Sequence, residues 1–85
     1  LVTEDKLRLF KAIRGMVDGL AERLDAGGGT LAEWSRLIRA RSVLGQKAQA
    51  LQAVKTARER LAQDAAAVAA IGALAQELGL KEATP

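Results

Sequence analysis

The sequence predicts an all-α fold of four helices. Nearly half of the 85 residues are apolar, and Ala and Leu dominate that half, as is typical of helices. Residues that favour strands are few, since Phe10 and Trp34 are the only aromatic residues and β-branched residues are sparse. The one proline is Pro85, so no proline interrupts a helix before the end of the sequence. A chain of this length is expected to form one domain with a thin core.

The first helix is predicted over residues 4–24. Thr3 can cap its start, and apolar residues then recur at helical spacing: Leu7, Phe10, Ile13, Val17, Leu20 and Leu24. Gly15 and Gly19 lie inside this helix, where we expect them to let another helix approach closely. Residues 25–29 end in three glycines and predict a short flexible connector. A phosphate-binding loop is disfavoured, because no strand precedes the glycines and the lysine and hydroxyl pattern is missing.

The second and third helices are predicted to form an antiparallel hairpin. Thr30 and Glu33 have capping-box spacing, and Gly45 suits the residue that closes the second helix. The third helix is predicted over about residues 47–61. Small residues alternate with larger ones on its inner face, which predicts close packing. The predicted inward residues are Leu31, Trp34, Leu37, Ile38 and Leu44 on helix two, and Ala50, Leu51, Val54, Ala57 and Leu61 on helix three.

The fourth helix is predicted over residues 65–78, with Asp64 as its N-cap and Gly79 closing it. Leu80 is expected to fold back as the apolar contact of that closure. The predicted inward residues are Val68, Ile71, Leu74, Ala75 and Leu78. We expect residues 1–80 to form a single helical domain and residues 81–85 to be a disordered tail.

A shift of thirty-four residues aligns the second helix with the fourth, pairing Trp34 with Val68 and Gly45 with Gly79. The hairpin resembles a tetratricopeptide repeat (TPR) at six preferred positions: Trp34, Leu37, Gly45, Ala50, Val54 and Ala57. Ile38, Arg41 and Ala62 depart from that motif and leave an ordinary four-helix bundle as the alternative. The resemblance implies a TPR-like hairpin, with a full repeat at about residues 30–62 flanked by half-repeats, in a short α-solenoid.

The TPR resemblance also implies a partner-binding groove lined by the first helix of each repeat. The corresponding residues are Ala32, Ser35, Arg39 and Ser42 on helix two, and Ala69 and Gln76 on helix four, with Ala66 and Ala73 between them. Such a shallow, mostly apolar groove suits an amphipathic helix whose carboxylate pairs with Arg39. The alternative is that Arg39 points only into water.

The run from Ile13 to Leu24, followed by Trp34 and by Leu44-Gly45, resembles the periplasmic part of cytochrome c-type biogenesis proteins of the CcmI/CycH family. Three glycines at residues 27–29 replace the acidic, proline-containing loop usual in that family. The resemblance implies a periplasmic domain that is anchored to the inner membrane through segments outside these residues. Its partner would be a protein or peptide, namely the helical C-terminal segment of an apocytochrome c, held chaperone-like during maturation.

An alternative function is a structural or oligomerisation module, in which exposed apolar residues such as Leu7 and Phe10 mediate self-association. The test that separates the two is the oligomeric state, because a strictly monomeric chain would not need to cover those residues. The sequence does not decide between them.

Catalysis is not predicted. The chain has no His or Cys, and its few hydroxyls form no recognisable catalytic set, so we expect neither an enzyme nor a bound cofactor or metal. Asp18, Glu22 and Asp25 are interpreted as solvated helix surface, because Arg14 lies one turn before Asp18. Trp34 is interpreted as a core residue rather than a stacking platform for bases.

Charge and hydropathy exclude two further classes of partner. The net charge of +3 is small, and the basic residues in the middle of the chain are interpreted as a solvated face, so no nucleic-acid partner is expected. No apolar run approaches the roughly 18–20 residues of a membrane span. The module itself is therefore not expected to span a membrane.

Overall fold

The computed structural model describes residues 4–80, which form four helices: α1 (Glu4–Gly27), α2 (Leu31–Val43), α3 (Lys47–Arg60) and α4 (Ala65–Glu77). The predicted all-α class and the four helices are confirmed, and no strand occurs among these residues. Only the end of α1 differs by more than one residue from its prediction, because α1 continues to Gly27. The predictions for Thr3 and for residues 81–85 lie outside the described residues.

The helices pack in chain order around a core centred on α2 and α3. α2 packs most extensively on α3, α4 packs on α3 and also touches α2, and α1 packs on α2. Trp34, Ile38 and Ile71 are completely buried, while Ala50 and Ala57 on α3 are also inaccessible to solvent and permit a close approach to α2. Two further buried residues, Ala53 and Ala67, were not predicted, and Val68 is only half-buried.

The predicted capping box at the start of α2 is confirmed. The Thr30 hydroxyl accepts a hydrogen bond from the Glu33 backbone N–H at 3.2 Å, and the Glu33 carboxylate accepts one from the Thr30 N–H at 3.2 Å. Arg23 of α1 also pairs with Glu33 at 2.5 Å, so the cap joins two helices. The backbone hydrogen bond from Thr30 and the charge of Arg23 together hold the pKa of Glu33 below its ordinary value of 4.5.

The lowered pKa of Glu33 predicts how the cap depends on pH. Glutamine at this position keeps the hydrogen bond to the Thr30 N–H but loses the charge that attracts Arg23. The Glu33→Gln variant should therefore unfold more easily than the wild type at pH 7. Because the pKa is lowered by folding, this difference should shrink as the pH falls below about 4.5 and through the folded-state pKa. Urea unfolding at several pH values measures it, and a difference independent of pH would contradict the prediction.

α2 and α4 end in the same way. The N–H of Gln46 donates to the carbonyl of Arg41 at 2.8 Å, and the N–H of Leu80 donates to the carbonyl of Ala75 at 2.8 Å. Gly45 and Gly79 occupy the left-handed position of each closure, with φ of 75° and 70°. Leu80 is buried, which confirms its predicted fold-back. The two closures are thirty-four residues apart, as are the sequence features that suggested a repeat.

The connector between α1 and α2 forms a defined turn in the structure. Gly28 has a φ of +73° and its N–H donates to the Leu24 carbonyl at 2.7 Å. A Cβ atom on Gly29 would overlap the buried Leu24 side chain. Gly28 is favoured by its backbone conformation and Gly29 by the lack of space, and the turn sets where α2 begins.

The expectation of close helix packing at Gly15 and Gly19 was wrong. A Cβ atom at either position would meet no described atom within 4 Å. A Cβ atom on Gly72, in contrast, would lie 3.3 Å from a guanidinium nitrogen of Arg58. Gly72 is therefore contacted by a side chain of α3, whereas Gly15 and Gly19 face no described neighbour.

Candidate protein-binding surface

The predicted site residues lie on two neighbouring helices. On α2, Ala32 and Arg39 are exposed, whereas Ser35 and Ser42 are half-buried. Spacings of three and four residues place these side chains along one stripe of the helix. On α4, Ala69 and Gln76 are exposed, and α4 touches α2 directly. We call these six residues the α2–α4 surface.

Arg39 is held by a carboxylate of this chain. Two of its guanidinium nitrogens donate to the two carboxylate oxygens of Glu77, each at 3.4 Å. The ion pair joins α2 to the end of α4, and both side chains remain more than half exposed. Exposed pairs of this kind contribute about 0–1 kcal/mol, so a carboxylate from a partner could replace Glu77. Sequence reasoning missed Glu77, because the two residues are 38 positions apart.

The outer face of α4 carries no charge until its last turn. Ala66, Ala69, Ala70 and Ala73 are all exposed, and no charged residue occurs between Asp64 and Glu77. Exposed faces of surface helices are usually charged or polar. Next to Ser35 and Arg39, this face adds a neutral and shallow part to the α2–α4 surface.

A cleft of about 390 Å³ lies on a different part of the molecule, between α1, α2 and α3. Arg41 at its wall donates to Asp18 at 2.7 Å and to Gln46 at 2.8 Å, and Arg60 donates to the backbone carbonyl of Asp25. These arginines therefore link the helices together. Sequence analysis did not identify the cleft, since the contact of α1 with α2 that forms it leaves no local signal. The cleft is lined by Ala21, Asp25, Leu37, Arg41, Gln49, Gln52, Ala53, Thr56 and Arg60.

Arg41 occupies the position where the TPR motif commonly has Tyr. Its side chain is only 11% exposed, and its guanidinium contacts both α1 and the turn after α2. This departure from the motif thus has a structural role in this chain, because Arg41 fixes α1 against the hairpin.

Three further observations concern the described residues. Trp34 is completely buried, as predicted, and cannot stack on a base. Within residues 4–80, no three carboxylates gather closely enough to hold a metal ion. In the same part of the chain, every helix falls short of the length or apolarity required to cross a bilayer.

Comparison with known proteins gives one informative similarity. No family model matches the chain, and no solved structure matches it. Over 52 residues the chain is 40% identical to the cytochrome c-type biogenesis protein CycH of Bradyrhizobium diazoefficiens. The matched segment is 61% of this chain and 14% of that relative, so the similarity concerns a small part of a much longer protein. It supports the resemblance to CycH proteins, whereas the TPR assignment remains a prediction from the sequence.

Proposed function

We propose that this chain is a protein-binding helical module, not an enzyme, that holds a helical segment of an apocytochrome c during c-type cytochrome maturation. One structural observation carries the proposal: the predicted residues of α2 and α4 lie on adjacent helices, joined by Arg39 and Glu77. The similarity to CycH supports the process. By the same resemblance, we place the module in the periplasm, anchored to the inner membrane by segments outside these residues.

The surface has the properties that a bound helix requires. The alanines of α4 are small, so the backbone of a partner helix can approach α4 closely and bury apolar anchors against it. Ser35 and Ser42 supply hydroxyl groups that can donate or accept hydrogen bonds. Arg39 and Glu77 place one positive and one negative group together on this surface, which can orient a partner helix of complementary charge.

The proposal is tested by titrating the chain with a synthetic peptide of the C-terminal helix of a c-type apocytochrome. Calorimetry should show saturable binding, and circular dichroism should show that the peptide gains helix. A scrambled peptide of the same composition is the control and should not bind. At several hundred micromolar peptide, the titration detects binding free energies as weak as about −5 kcal/mol. Absence of binding under these conditions would contradict the proposed client.

Exchange of the two charges at Arg39 and Glu77 tests where the peptide binds. Arg39→Glu alone opposes two carboxylates and removes the positive group, so binding should weaken about twofold to fivefold. The double variant Arg39→Glu with Glu77→Arg restores an ion pair between α2 and α4 but reverses its direction. If Arg39 contacts the peptide, the double variant should still bind weakly. Full recovery of affinity would mean that Arg39 acts only by pairing with Glu77.

A further inference from the structure

The cleft between α1, α2 and α3 has an apolar bottom. Its volume of about 390 Å³ is within the range of roughly 300–1,000 Å³ found for small-ligand sites. Leu37 of α2 and Ala53 of α3 are buried among its lining residues, and Ala21 of α1 is half-buried beside them. None of the six residues of the α2–α4 surface lines the cleft. The cleft is therefore a second surface, separate from the one proposed for the partner helix.

The charged groups of the cleft lie at its two ends and already have contacts within the chain. Arg41 donates to Asp18 of α1 and to Gln46, which precedes α3. Arg60, at the end of α3, donates to the backbone carbonyl of Asp25 of α1. Asp18 and Asp25 are about two helical turns apart, so the part of the cleft between the two arginines is ~10 Å long. An anionic ligand would compete with contacts that hold the helices together.

Between the arginines, the α3 wall of the cleft is polar but uncharged. Gln49, Gln52 and Thr56 line it at spacings of three and four residues, along one stripe of α3. The amide of Gln49 has no hydrogen-bond partner among residues 4–80, and the amide nitrogen of Gln52 reaches only the Thr56 hydroxyl, at 3.5 Å. A glutamine amide can donate and accept hydrogen bonds at the same time. This wall therefore offers a ligand both donors and acceptors without a net charge.

We propose that the cleft binds a short, uncharged stretch of extended peptide through its backbone amides. Each peptide group carries one donor and one acceptor, so it can pair with the amides of Gln49 and Gln52. An extended chain rises ~3.3 Å per residue, so ~10 Å accommodates about three residues. An apolar side chain on the middle residue lies against Leu37 and Ala53. The inference does not depend on the proposed function, since it uses a different surface.

Titration with the blocked tripeptide N-acetyl-Ala-Leu-Ala-amide, followed by nuclear magnetic resonance, tests the inference. The side-chain amide signals of Gln49 and Gln52 should shift and saturate, with a dissociation constant on the order of 1 mM for a ligand of this size. Gln63 and Gln76 are exposed outside the cleft, so their side-chain amide signals are internal controls and should not shift. Absence of a saturable shift at about 20 mM peptide, far above that dissociation constant, would overturn the inference.

A second peptide tests the chemistry of the ligand. N-acetyl-Ala-Asp-Ala-amide should bind at least about tenfold more weakly, because its carboxylate would lie against the apolar bottom of the cleft. Equal affinity for the two peptides would overturn the preference for an uncharged ligand. Shifts of the Gln76 amide in place of those of Gln49 and Gln52 would place the peptide on the α2–α4 surface and would also overturn the inference.

Two pairs of variants, followed by the Gln52 signal, test whether the peptide lies in the cleft. Ala21→Leu fills the cleft from α1 and should weaken binding at least about tenfold, whereas Ala12→Leu adds the same side chain at an exposed position of α1 outside the cleft and should not. Gln49→Ala should weaken binding about twofold to fivefold, and Gln63→Ala should leave it unchanged. Far-UV circular dichroism checks the helix content of each variant. Unchanged affinity in Gln49→Ala, or in a folded Ala21→Leu variant, would overturn the inference.

Discussion

Replacing Trp34 with alanine is expected to lower the free energy of unfolding by about 3–5 kcal/mol, the range for removing a large buried aromatic side chain. Trp34 is completely buried and is the largest side chain of the core. A domain of this size has a total stability of only about 4–13 kcal/mol, so the variant could populate the unfolded state in water. A loss below about 1 kcal/mol would mean that the core does not depend on Trp34.

Trp34→Phe distinguishes packing from hydrogen bonding at the same position. The indole nitrogen of Trp34 is buried without a hydrogen-bond partner among the described residues. Phenylalanine removes this N–H together with part of the ring, and an unsatisfied buried donor costs about 1–3 kcal/mol. The variant should therefore lose less than half as much stability as Trp34→Ala. Urea unfolding monitored by circular dichroism measures both variants, and equal losses would indicate that the indole N–H has a partner such as a buried water.

The second large effect is expected at Leu24, where Leu24→Ala should cost about 2–5 kcal/mol. Leu24 is completely buried and fills the space left open by the missing side chain of Gly29. Its removal leaves a cavity between α1 and the start of α2. The hydrogen bond from the Gly28 N–H to the carbonyl of residue 24 joins backbone atoms, so the loss is assigned to the cavity alone.

Leu9→Ala is the matched control on the same helix. Leu9 is 62% exposed in the first half of α1, so its replacement should change stability by less than about 0.5 kcal/mol. Both variants are compared by urea unfolding monitored by circular dichroism. Similar losses at Leu24 and Leu9 would contradict the conclusion that α1 packs only through its second half.

Sequence reasoning located the helices because their ends are local signals. Thr30 with Glu33, Asp64, Gly45 and Gly79 each act within four residues along the chain, and the structure shows each in its predicted role. The same reasoning failed at Gly15 and Gly19, where a small residue was taken as evidence of a packed neighbour. Glycine reports a close contact only if another helix is present, and the sequence of α1 does not contain that information.

The candidate surface was predictable only in part for the same reason. A repeat spacing can assign Ala32, Arg39 and Ala69 to outer faces, and the structure exposes all three. The pairing of Arg39 with Glu77 and that of Arg41 with Asp18 depend on how far each helix is shifted along its neighbour. That shift is set by side-chain packing between helices, so neither pair follows from periodicity.

Alanine occurs in two environments in this fold, and the difference separates two kinds of selection. Ala50 and Ala57 have no space around them, so larger residues there would force α3 away from α2. Ala66 and Ala73 face solvent, and folding places no upper limit on their size. Substitution of Ala50 and Ala57 by larger residues should therefore be restricted by the fold itself. Any restriction on the size of residues 66 and 73 must come from a binding partner.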